Sequence, residues 1–113
     1  MEEFALLFRQ QEQIDNTALS PKEMEKLAQK WESWVSNLKE QDRFICNTRL
    51  APFGKVLKPG GIVTDGPFVE IKERLGGLFL VRAENLEEAT TLAHGCPILD
   101  IGGSVEVRPL FQY

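Results

Sequence analysis

The sequence predicts an α+β domain in which one antiparallel sheet carries two helices on the same face. Three observations predict it. Two segments combine a complete helix-start signal with an apolar stripe of helical period, apolar extended segments flank each of them, and turn signals cluster in the interval between the two helices. The resulting order is strand, helix, strand, hairpin, strand, helix, strand, which is two βαβ halves and the ferredoxin-like βαββαβ plan with an extra hairpin. A chain of 113 residues with 42% hydrophobic and 27% charged residues has room for one domain, spanning 1–113, and enough apolar content to fold by itself.

Each element has its own justification. Glu3 to Arg9 is short, rich in Phe and Leu and apolar on both faces, as in a strand covered on two sides. Gln10 to Asn16 is polar and reads as a loop. Ser20, Pro21 and Glu23 then supply an N-cap, a first-turn proline and a capping-box glutamate. Behind them Met24, Leu27, Ala28, Trp31, Trp34 or Val35, and Leu38 form a continuous stripe opposed by Lys and Glu.

Arg43 to Leu50 reads as a strand ending irregularly, and Gly54 to Leu57 resumes extended structure. Lys58-Pro59-Gly60-Gly61 is a hairpin turn leading into Ile62-Val63-Thr64, which Asp65-Gly66-Pro67 stops. Leu78 to Arg82, entered through Gly76-Gly77, is the next strand. Asn85 and Glu88 then cap a second helix that turns Leu86, Ala89, Leu92 and Ala93 inward and ends at Gly95, before Pro97. Ser104 to Phe111 alternates apolar and polar residues as a final strand. Strands apolar on both sides leave the second sheet face needing a cover, and two such sheets face to face make a dimeric α+β barrel, so a homodimer is expected.

Charge and motif content exclude several functions. A net charge of −4 and a pI near 5.0 disfavour direct binding to nucleic acid, which requires a basic surface, and to an anionic membrane. No apolar run is long enough to span a bilayer, and Met1-Glu2-Glu3-Phe4 does not begin a secretory leader, so a cytoplasmic location is expected. Cys46 and Cys96 are too few and too far apart for a disulfide framework or structural zinc, and both read as reduced packing residues. Gly54-Lys55 lacks the remainder of a phosphate-binding loop, no dinucleotide fingerprint occurs, and His94 is the lone histidine, so neither a cofactor nor a metal is expected.

The candidate site residues are few. Asp65 either caps its own turn or, buried in a cleft beside the sheet, serves as a general acid or base, with Gly66, Pro67 and Phe68 shaping the segment around it. Glu106 and Arg108 share one face of the last strand and read as an ion-paired set or, through Arg108, as an anion site. Trp31 and Trp34 belong to the core stripe, and one indole is able to line a pocket. His94 suits a helix C-terminus, and Cys96 reads as buried and inert.

Thr64-Asp65-Gly66-Pro67-Phe68, its continuation through Ala89, Cys96-Pro97 and the closing run from Gly102 to Leu110 resemble the YCII-related family, in its DGPF-motif branch. The resemblance implies a ferredoxin-like fold, usually a dimeric α+β barrel, in bacterial proteins mostly without assigned activity. Some relatives are implicated as small enzymes using a histidine and an aspartate, and others are associated with sigma factors. In the enzyme-like branch the histidine stands midway along the first helix, where this chain has Trp31 or its neighbour, whereas Asp65 matches the motif aspartate. The first expectation is a protein binding a small ligand or a partner in a cleft near Asp65. The alternatives are a lyase- or isomerase-like enzyme using Asp65, with Arg108 holding an anionic group, and an accessory to a sigma factor.

Overall fold

A computed structural model describes residues 1–11, 20–51, 53–66 and 73–111. Six strands and two helices follow in the order β1 (Glu2–Gln11), α1 (Pro21–Glu40), β2 (Phe44–Arg49), β3 (Gly54–Lys58), β4 (Ile62–Gly66), β5 (Glu73–Ala83), α2 (Leu86–Ala93) and β6 (Ser104–Pro109). A 3-10 helix, Pro97–Ile101, connects α2 to β6. Four strands form one sheet in the order β2-β5-β1-β6, with every neighbouring pair antiparallel. Since β1 and β2 both run opposite to β5, they are parallel to each other, and the connection through α1 is a βαβ crossover. The same reasoning makes β5-α2-β6 the second crossover, which establishes the ferredoxin-like plan.

Both helices start where the sequence places them. Ser20 Oγ accepts from the Glu23 amide at 3.2 Å with Pro21 in the first turn, and Asn85 Oδ1 accepts from the Glu88 amide at 2.8 Å. The Glu88 carboxylate then reaches back to accept from the Glu84 amide at 3.2 Å and pairs with Arg43, at the entry to β2. One side chain thus ties the start of α2 to the far edge of the sheet.

The core lies between the helices and one sheet face. Phe4, Leu6 and Phe8 of β1, Phe79, Val81 and Ala83 of β5, Trp34 and Leu38 of α1 and Ala89 and Ala93 of α2 are buried. Val105 and Val107 of β6 pack against this cluster. Alternation along the strands puts Ala5, Leu7, Leu78 and Leu80 on the opposite face, where they are half-buried and no described element covers them.

Several boundaries differ from the sequence expectation. The strand expected to end at Arg9 continues to Gln11, and β5 begins at Glu73 instead of Leu78, taking in part of the charged run. A bulge accommodates this extension: Phe8 pairs with Gly77 and Arg9 with Leu75, leaving Gly76 as the extra residue. Residues 12–19, most of the expected first loop, lie outside the described residues. Leu86, expected inward, is exposed in the first turn of α2, and Cys46, expected to pack, is exposed on β2. A cysteine on an edge strand has a neighbour on one side only, so extended structure alone does not bury it.

The expected hairpin forms between β3 and β4, its turn carried by Gly60 and Gly61 at φ +88° and +78°. It makes a two-stranded sheet of its own and leaves Phe53 and Leu57 exposed.

The Glu84 amide, followed by the Arg43 guanidinium, holds the Glu88 carboxyl below its ordinary value of 4.5, against the opposing effect of desolvation. A depressed carboxylate contributes stability above its unfolded-state value and loses that contribution as the pH falls through the folded-state value. Glu88→Gln is therefore expected to lower Tm at pH 7 and to flatten the loss of stability below about pH 4.5. Thermal unfolding across pH 3 to 7 checks this, and parallel profiles for the two proteins contradict it.

Candidate functional site

The apolar stripe of α1 is longer than the described surface that covers it. Its C-terminal part, Trp34 and Leu38, is sealed against the sheet, whereas Met24 is 49% exposed, Ala28 is exposed, and Leu27, Trp31 and Val35 are half-buried. Four aromatic rings fix the helix at the boundary. Trp34 lies 5.1 Å from Phe79 and Trp31 5.6 Å from Phe8, and the two indoles lie 5.8 Å apart at a steep angle. Toward the N-terminus of α1 these rings give way to a cleft of about 740 Å³.

The sheet provides the floor. Register aligns Asn47 with Phe79 and Arg49 with Gly77, so Asn47 and Arg49, two apart on β2, share the helix-facing side and line the cleft. Gln10 of β1 lines it from the neighbouring strand, and Ile98 and Ile101 of the 3-10 helix close one end. The position paired with Arg49 carries no side chain. A Cβ at Gly77 would come within 2.7 Å of the Thr48 carbonyl oxygen, so β2 and β5 approach closely only because glycine stands there.

The two indoles differ in their polar atoms. Trp34 Nε1–H donates to the Leu92 carbonyl at 3.1 Å, joining α1 to α2. Trp31 Nε1–H has no acceptor among the described residues, and among them no buried side-chain nitrogen or oxygen lacks a partner, so on the described surface this donor is open to the cleft or to solvent. Arg49 likewise pairs with no described carboxylate, in contrast to Arg9, Arg43 and Lys55. Glu32, on the wall formed by α1, is the one carboxylate on the described lining. A shallower groove of about 550 Å³ lies on another flank of α1, where Lys30 and Asp100 pair at 3.0 Å.

The residues predicted from sequence are dispersed. Trp31 lines the cleft. Asp65 lies within β4 rather than in a turn, pairs across the hairpin with Lys55 at 2.6 Å and has a side chain 90% exposed; it lines neither cleft. The cross-strand lysine takes its carboxylate, and the residues of the turn it was expected to cap, from Pro67 on, lie outside the described residues. Gly66 ends β4, and Pro67 and Phe68 lie outside the described residues.

Glu106 and Arg108 share a face, as expected, but it is the sheet face turned away from the helices. There Arg9 reaches Glu106 at 3.2 Å, with Arg108 4.0 Å from the same carboxylate. Cys96 is buried, and desolvation pushes its thiol up to about 12, as suits an inert packing residue. His94 forms the exposed C-cap of α2.

The family model of the YCII-related domain matches residues 4–113. The chain belongs to the YCII-related family. Among curated proteins it is similar to an uncharacterized protein of Rhizobium meliloti (strain 1021), with 45% identity over 53 residues, a stretch covering 46% of this chain and 43% of that protein. The match therefore spans less than half the length of the curated relative. Among the described residues of this YCII-related chain, no helix is long and apolar enough to cross a membrane, and no three His, Cys, Asp or Glu side chains gather as a metal site.

Gly77→Val tests the floor of the cleft. The contact with Thr48 is to backbone, so accommodation requires β2 to move, and the expected cost is about 1–3 kcal/mol. Thermal or chemical unfolding reads it, and an unchanged Tm contradicts the close approach.

Proposed function

We propose that this YCII-related protein binds a small, largely apolar molecule in the cleft beneath the N-terminal half of α1. One observation carries the reading: an apolar helix stripe stops being covered where a cavity of about 740 Å³ opens, with Asn47, Arg49 and Gln10 supplying a few polar groups on its floor. A mainly apolar concavity with a few convergent polar groups is the usual form of a small-molecule site, and the volume lies in the usual range of about 300–1,000 Å³. Trp31 is the sequence-predicted residue that belongs to it, and binding requires no acid or base at Asp65.

The neutral dye Nile red is expected to brighten on binding the protein. Ala28→Trp, which fills the cleft from an exposed helix position, is expected to reduce that signal at least several-fold. Equal dye binding by a folded Ala28→Trp variant overturns the assignment.

The working unit in this reading is a homodimer formed through the open sheet face. Ala5, Leu7, Leu78 and Leu80 form a half-buried apolar strip there, and a second copy offers the same strip in return. Sedimentation at micromolar concentration is expected to give a dimer for the parent chain and a monomer for Leu80→Lys. A monomeric parent chain contradicts it.

A further inference from the structure

We propose that the ligand is a planar aromatic carboxylate, its ring against Trp31 and its carboxylate held by Arg49; this rests on the reading of the cleft as a ligand site. Arg49 gives the charge. It is the one cationic side chain on the described lining of an otherwise mostly apolar cleft, and it pairs with no described carboxylate. The other arginines whose side chains are described have partners: Arg9 and Arg108 on Glu106, Arg43 on Glu88, and Arg82 on Asp42.

Arg49 is exposed at the margin of the cleft, and a guanidinium there with no described carboxylate partner favours a planar anion that accepts two parallel N–H bonds, which is the geometry of a carboxylate. The other polar side chains on the described floor are neutral, namely Asn47, Thr48 and Gln10. One positive charge among neutral groups on the described lining fits a monoanion better than a phosphate dianion. Glu32 belongs to the opposite wall, on α1, and does not pair with Arg49, so no described carboxylate of the lining occupies the guanidinium.

The rings give the shape. Trp31 is half-buried, with Phe8 at 5.6 Å on a 72° interplanar angle and Phe79 at 5.9 Å, so one more flat ring extends an edge-to-face cluster already in place. The Trp31 indole N–H, which has no acceptor among the described residues, adds a donor for a ring substituent or for the carboxylate itself. The side chain absent at Gly77 leaves the position paired with Arg49 unobstructed.

Calorimetric titration with naphthalene-2-carboxylate and its neutral partner naphthalene-2-carboxamide separates charge from shape. The parent chain is expected to bind the carboxylate about tenfold more tightly than the amide. Arg49→Gln is expected to remove that difference, chiefly by weakening carboxylate binding about tenfold, and an unchanged thermal unfolding transition reports that the variant is folded. Arg49→Lys is expected to fall between the two, because it keeps the charge and loses the planar fork. Equal affinity of the parent chain for both probes, or a preference that survives Arg49→Gln, overturns the carboxylate assignment and leaves the cleft reading standing. Failure of both probes to bind the parent chain overturns the cleft reading itself.

Discussion

The structure depends on how the ring cluster holds α1. Phe8 and Phe79 come from neighbouring central strands, Trp31 and Trp34 from successive positions on the helix stripe, and their contacts set the height of α1 over the sheet. The hydrogen bond from Trp34 to the Leu92 carbonyl then locks the same helix to the end of α2. An indole buried without that acceptor would retain an unsatisfied donor at a cost of about 1–3 kcal/mol. The bond therefore selects which tryptophan goes inside: Trp34 is sealed, and Trp31, a turn earlier, remains at the margin.

Everything N-terminal to Trp31 follows from that choice. A helix 20 residues long projects past the part of the sheet that can cover it, because β2 is a short edge strand and β5 passes through a bulge and two glycines at this end. Met24, Leu27 and Ala28 then face a space instead of a floor of side chains. The polar residues of β2 that share this face, Asn47 and Arg49, would be unremarkable on a solvated edge strand, but beneath the overhang they become part of a concave surface. The second tie, Arg43 to Glu88, holds the entry to the edge strand against the start of α2.

Much of the fold was legible in the sequence because its signals are local. The Ser20 and Asn85 caps, the Phe- and Leu-rich run of the first strand, and the paired glycines at 60 and 61 each dictate conformation within a few residues, and each is found where the sequence places it. What was not legible depends on pairing between distant segments. The stripe on α1 reads as uniformly buried, since periodicity shows which residues share a face but not how far the opposing surface extends.

Asp65 illustrates the same limit. Asp-Gly-Pro is a turn signal, yet pairing with Lys55 draws Asp65 into a strand and occupies its carboxylate. In the cleft, Trp31 could be singled out as a large side chain on an amphipathic helix. Asn47 and Arg49 could not, because their spacing of two becomes informative only once the register places Phe79 and Gly77 opposite them.

The central claim is that one continuous apolar stripe is divided into a sealed half and an open half, with the boundary between two tryptophans three residues apart. Hydrogen exchange at the two indole N–H groups, followed by NMR at neutral pH, tests it directly. Trp34, bonded to Leu92 inside the core, is expected to exchange slowly, with Trp31 exchanging at least a hundredfold faster, at about the rate of local opening of an exposed site. Equal protection of the two indoles would mean that α1 is covered along its whole length, and the account of the cleft would then be wrong.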